Sequence, residues 1–240
     1  MSSPLHQFEV KKIVPIEWNG MDLSFTNASL FMVLSVLCGL GVMWWLMHKQ
    51  LLVPNTRQSV GEAIFGFIRN TAKDCIGEGY EKYLPFILSV FLIIFFGNFL
   101  GLFPYSFTFT SQLAPVGVFA ILGLFVSMGI GLSNHGIKWF RTFLPAGIPV
   151  VMAPIIVPIE LFSFLAKPFS LTVRLVMNMV VGHILLKIVA GFIYSLGLAG
   201  VLPLVVVGIL IMFEMFIAFL QAYIYTILTS IYIGEAVHSH

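Results

Sequence analysis

Apolar runs long enough to cross a membrane, set apart by short polar breaks, divide most of the chain and predict its elements. Leu30 to Met47 is apolar for about one crossing, at roughly 20 residues per span, with Trp44 and Trp45 near its end as an interfacial belt. This gives a first span over residues 29–48. Leu84 to Phe103 and Val116 to Leu132 form a helical hairpin over 84–133, joined by a loop from Pro104 to Pro115 that carries no charge. Residues 58–82 follow another pattern: Val60, Ile64, Phe67, Ile68 and Cys75 fall near one helical face, and Glu62, Arg69, Asn70, Lys73 and Asp74 fall largely elsewhere. Such a helix lies on a membrane rather than across it, or else faces solvent or a partner. In residues 145–168 the prolines at 145, 149, 154, 158 and 168 predict helices broken or kinked into short pieces. Two long apolar stretches, 169–200 and 203–234, close the chain. At about 1.5 Å per residue each runs about 45 Å, beyond a hydrocarbon core of about 30 Å, so both must tilt steeply.

Residues 1–28 carry several charges and no helical periodicity, which predicts an extended arm outside the membrane, with residues 29–240 as a single membrane domain. The arm is too long and too acidic for a signal peptide, so the first apolar run is expected to remain as a helix. The pattern as a whole specifies an all-α integral membrane protein of transmembrane helices, a surface amphipathic helix and two long, tilted membrane helices.

Composition sharpens this. Of 240 residues 9% are charged, against about 25% in an ordinary soluble domain. A net charge of +2 gives a nucleic-acid partner no electrostatic support. Cys38 and Cys75 have no ligand-spaced neighbours and read as structural; no metal or cofactor is expected. Basic residues set the orientation. Lys49, Arg57, Arg69, Lys73, Lys82, Lys138 and Arg141 fall on one side, against Lys11 and Lys12 on the other. The positive-inside rule therefore puts the amino terminus outside and the carboxy terminus in the cytoplasm or matrix.

The chemistry lies in the polar residues of the long helices. Arg174 stands in an apolar run, where a permanent cation costs between about 2.5 and 17 kcal/mol depending on how the cost is measured. At about 100° per residue Asn178 shares its face, whereas His183 points to the opposite side. On the last helix Glu214 and Gln221 lie along nearly one face, and Glu235 falls about 60° off it. Glu160 sits among the prolines, where unwound backbone would border protein or water. An imidazole and a carboxylate in partial burial can load and unload protons near neutral pH, while a fixed arginine repels a passing proton and attracts an anionic carboxylate. Blander roles stay open at this point: an Arg174–Glu214 ion pair, His183 as a packing residue, Glu214 as an inert acid, Gln221 and Asn98 as interhelical bridges. Lys167 and Lys187 are expected to snorkel, and His238 and His240 to be solvated at the tail.

The run from Ser163 through Lys167-Pro168, Arg174 and Asn178 to His183 resembles the signature of subunit a of the F-type ATP synthase. The likeness extends to Glu214 with Gln221, to Tyr232-Ile-Gly-Glu235, to Asn98-Phe-Leu-Gly-Leu-Phe-Pro104 and to Pro4-Leu-His-Gln-Phe8. The order of His183 and Glu214 is similar to the mitochondrial and alphaproteobacterial forms; many bacterial members exchange acid and imidazole.

This resemblance implies a stator that holds a ring of small membrane hairpins against the two tilted helices, with two offset half-channels for protons. It implies that Arg174 strips the ring carboxylate of its proton and blocks a short circuit. His183 and Glu214 would then be the paired imidazole and acid of the outer half-channel. Asn178 and Gln221 would flank the arginine, and Glu160 and Glu235 would line the inner half-channel. Peripheral-stalk membrane subunits and lipids are further implied partners, and an energy-transducing inner membrane the location. Nucleotide chemistry would fall to other subunits. The rival reading is a proton-coupled secondary transporter in which Arg174 binds an anionic substrate, but the paired repeats usual in such proteins are missing from the sequence.

Overall fold

The computed structural model describes residues 9–15, 17–18, 21–22, 24–48, 51–103, 106–136, 139, 152–195 and 200–238. Lys49, Lys138, Arg141, Pro145, Pro149, His240 and the run from Pro4 to Phe8 lie outside them. The described arm is two short antiparallel pairings: β1 (Lys12–Val14) with β4 (Phe25–Thr26), and β2 (Glu17–Trp18) with β3 (Met21–Asp22). Asn27 ties the arm to the first helix, since its side chain accepts from Lys11 N at 3.1 Å and donates to Glu9 O at 3.1 Å.

Among the described residues six α-helices follow, and five are long and apolar enough to span a membrane. The chain is an all-α integral membrane protein. Helix α1 (Asn27–Met47) starts at Thr26, whose hydroxyl caps Ser29 N at 3.3 Å. It is largely exposed in this chain and meets α3 (Leu84–Gly101) along a seam that includes the buried Ser35 and Gly39.

Helix α2 (Thr56–Ile76) is the amphipathic one; Asn55 caps it by accepting from Gln58 N at 2.9 Å. Its apolar stripe of Ile68, Ala72 and Ile76 is fully buried against α3 and α6 (Val201–Val237). The helix ends at Ile76, earlier than the expected Lys82. Gly77 and Gly79 take φ of 74° and 82°, a conformation that breaks the helical ladder and that glycine alone adopts freely. A short 3-10 turn (Tyr80–Lys82) then leads into α3, with Arg69 Nε donating to the Tyr80 hydroxyl at 2.9 Å.

Helix α4 (Leu113–His135) follows, but it packs against α5 and α6 and not along α3, so the expected hairpin is not a packed pair: α3 and α4 each lie against α6. The uncharged loop between them turns inward, so that Phe107, Thr108, Phe109, Thr110 and Ser111 are all buried.

From Ala153 on, the proline-rich stretch is not broken into pieces as expected. Helix α5 (Ala153–Ser195) runs without interruption for 43 residues, with Pro158 and Pro168 inside. Pro154 falls in the first turn, where its missing N–H costs nothing. The interior prolines are held because a broken helix at membrane depth would expose many more unsatisfied backbone groups than a proline does. Thr172 Oγ1 also bonds back to Pro168 O at 2.8 Å. Glu160 consequently sits on regular helix, half-buried, and not on unwound backbone.

Helix α6 has 37 residues. At about 1.5 Å per residue, α5 spans about 65 Å and α6 about 55 Å. Neither fits upright in a core of about 30 Å. The carboxy-terminal half of α6 is the centre of the bundle: Ala222, Tyr225 and Ile233 are buried among α2, α3, α4 and α5. Phe219 adds edge-to-face contacts to Phe91 and Phe95 at 6.1 and 6.3 Å. The end of α6 is pinned on two sides: His238 Nε2 donates to Ile76 O at 2.6 Å, and His135 Nε2 donates to Val237 O at 3.1 Å. His238 is exposed, as expected of the tail, and is also tied to the end of α2; its ring N–H meets one of the carbonyls that a helix end leaves unpaired.

Candidate functional site

Helices α5 and α6 pack antiparallel, and two contacts fix their register. Gly182 abuts the Glu214 carboxyl, and the Phe164 and Tyr232 rings meet at 5.4 Å. Both pairs fit one antiparallel register. That register puts Arg174 level with Ala222 and one residue from Gln221, Asn178 level with Ala218, and Glu160 level with Ala236 and one residue from Glu235.

Arg174 is exposed in this chain, and so are Met177, Val181, Leu185, Ile188 and Phe192 on the same helical face. Asn178, at the edge of that face, is half-buried. Among the described residues no carboxylate pairs with Arg174. The ion pair with Glu214 does not form, because both Glu214 oxygens are buried without a hydrogen-bond partner.

The opposite side of α5 faces the inturned loop. His183 Nε2 lies 3.1 Å from Thr108 Oγ1. His183 and Glu214 occupy neighbouring levels of the α5–α6 seam, and neither Glu214 oxygen is hydrogen-bonded to the ring. Glu214 is 8% exposed and fills the space that a side chain on residue 182 would need. Further buried polar atoms without protein partners are Asn98 Oδ1, Thr110 Oγ1 and, two turns along α6 from Glu214, Gln221 Oε1. Asn98 also bridges helices, donating from Nδ2 to Ala218 O at 3.4 Å.

The other end of the hairpin carries a second set of polar groups. Glu160 is half-buried, Glu235 is exposed, and Lys167 Nζ stands 5.8 Å from the centre of the Tyr232 ring. The Tyr232 hydroxyl is buried without a partner. Sequence periodicity anticipated the opposition of Arg174 and His183 but missed Thr108, Thr110 and Gly182. The lack of any charge in the loop was the available signal for the first two; nothing local marks Gly182.

The model of the ATP synthase A chain family matches residues 29–234. The chain belongs to that family. Curated relatives named ATP synthase subunit a agree over their full length. That of Rhodospirillum rubrum is 46% identical, with 100% of both chains covered. That of Rhizobium leguminosarum bv. trifolii is 42% identical, over 99% of this chain and 98% of the relative. That of Brucella ovis is 41% identical over the same shares. These relatives are alphaproteobacterial, which is one of the two origins that the order of His183 and Glu214 resembles. The chain is thus the proton-translocating stator subunit of an F-type ATP synthase, a multi-pass protein of an energy-transducing membrane. It performs no catalysis by itself and works with a ring and the other subunits of the synthase.

Proposed function

We propose that the exposed Arg174 face of α5 is the surface past which the ring carboxylates turn, and that the two ends of the α5–α6 hairpin are the two half-channels. One observation carries this reading: an arginine stands on an outward apolar face, and none of the described residues supplies an acid to it. An ion so placed in a membrane needs a partner charge. A carboxylate arriving on another subunit meets that need and is held deprotonated beside the cation.

Asn178 and Gln221, within about a turn of that level, orient the guanidinium or the arriving acid. The buried seam of His183, Glu214, Asn98 and Thr110 serves as the outer half-channel. Buried polar groups are satisfied by protein or water, and a line of such groups without protein partners suits a hydrated path. Glu160, Glu235 and Tyr232 mark the inner half-channel. The amino terminus lies outside and the carboxy terminus on the cytoplasmic or matrix side, as the basic residues of α2 favour. Peripheral-stalk membrane subunits and lipids cover the exposed faces of α1 and α6. Each proton then falls through about 2.3 kcal/mol per 100 mV only by way of ring rotation.

Cross-linking tests the surface. In the assembled complex, Val181→Cys or Met177→Cys should form a disulfide on oxidation with a cysteine placed beside the ring carboxylate. Cross-links formed from position 183 in their place would put the ring on the wrong side of α5.

A further inference from the structure

The inturned loop between α3 and α4 is out of character for a connection. Loops run over surfaces because buried backbone must be satisfied, yet five consecutive residues, Phe107 to Ser111, are buried here. A seat is cut for them in α3. A Cβ on Gly101 would collide with the Thr108 side chain, and a Cβ on Gly97 would collide with the Phe109 ring and press on Thr110 Cγ2. These glycines are one turn apart on the same face of α3, so the helix accepts the loop side by side with its own backbone. Further bonds hold the loop in the seat: Ser106 Oγ donates to Gly101 O at 3.0 Å, and Ser111 Oγ donates to Thr108 O. The result is a fixed Thr108, 4% exposed, with its hydroxyl 3.1 Å from His183 Nε2.

We propose that Thr108 is a positioning residue for proton passage at His183, holding the imidazole in place in both of its protonation states. This rests on the reading of His183 as part of the outer half-channel. The chemistry of the contact is specific. A carbonyl or carboxylate accepts only, so it favours the state in which Nε2 carries a proton; an ammonium donates only. A hydroxyl does both. Thr108 donates to Nε2 of the neutral ring and accepts from Nε2–H of the imidazolium, by rotation of one O–H bond. The ring therefore keeps its place while it gains and loses a proton, which a relay requires and a static packing contact does not. The β-branched side chain adds to this, because its χ1 is stiff. The charged groups beside the imidazole are Lys187, one turn on along α5, and Glu214, packed against Gly182. Neither replaces a contact that serves both states of the ring.

The test uses the intact complex in vesicles, with ATP-driven acidification and passive proton conductance after removal of the catalytic head, both recorded across pH. Thr108→Val keeps the shape and removes the hydroxyl, Thr108→Ala removes it without overfilling the seat, and Thr108→Ser keeps it. The Val and Ala variants should lose about tenfold or more in conductance, in line with the penalty for misplacing a reacting group, and their pH profile should move. The Ser variant should stay within about twofold of native with an unmoved profile. Native rates and profile in Val and Ala, alongside a His183→Gln variant that is impaired, would overturn the role of Thr108 alone. Loss in Ser equal to that in Val would also overturn it, since the residue would then act through its bulk. Native conductance in His183→Gln would overturn the underlying reading of His183, and this proposal with it.

Discussion

Replacing Gly182 by alanine should impair proton passage far more than it impairs assembly. Gly182 lies where α5 meets the Glu214 carboxyl, and a Cβ there would collide with Oε1 and come within 3.0 Å of Cδ and 3.3 Å of Cγ. The carboxyl is the end of a flexible side chain, so it yields before the helix backbone does. Glu214 is 8% exposed, however, and its displacement must be absorbed by packed neighbours. Overpacking of that kind costs about 1–3 kcal/mol, too little to dismantle a helix pair that α2, α3 and α4 hold through the carboxy-terminal half of α6. A shift of about 1 Å in a proton-carrying group can cost about 100-fold in rate. The assay is ATP-driven acidification per assembled complex, with the amount of this subunit in the membrane measured in the same preparation. Gly191→Ala is the control, because a Cβ there meets nothing within 4 Å and alanine favours a helix over glycine by about 1 kcal/mol. Native pumping in Gly182→Ala, or equal damage from Gly191→Ala, would refute the argument from Glu214.

Other changes separate the two ends of the pathway. Glu214→Gln keeps the volume of the buried group and removes its exchangeable proton; pumping should fall by about tenfold or more with assembly unchanged, and native pumping would make Glu214 an inert acid. Glu160→Cys should react with a water-soluble thiol reagent applied from the cytoplasmic or matrix side, since the residue is half-buried on regular helix. Protection from the reagent on that side would mean a dry contact in place of an inner half-channel.

The spans of α1, α3 and α4 were legible because each is one apolar run of about a membrane's thickness. The amphipathic face of α2 was legible as well, but its end was misplaced by a glycine pair whose positive φ is a tertiary choice. The proline-rich stretch misled for a physical reason. Breaking strength learned in water assumes that freed backbone finds solvent; at membrane depth it does not, and α5 runs on through Pro158 and Pro168. In the site, the 100° spacing that sets Arg174 and Asn178 against His183 is a local property, so sequence alone carried it. Thr108 and Gly182 could not be found that way. Their roles depend on a loop turning inward against Gly97 and Gly101, and on α6 meeting α5 in one particular register.

The most direct test of the account is the coupling role of Arg174. Vesicles containing the assembled complex with Arg174→Ala would be compared with native ones for ATP-driven acidification, and for passive proton leak after removal of the catalytic head. The account predicts that pumping is lost while assembly persists and leak is retained or increased, because the half-channels survive without the charge that separates them. Unchanged pumping in Arg174→Ala would contradict it and leave the exposed arginine without a part in proton passage.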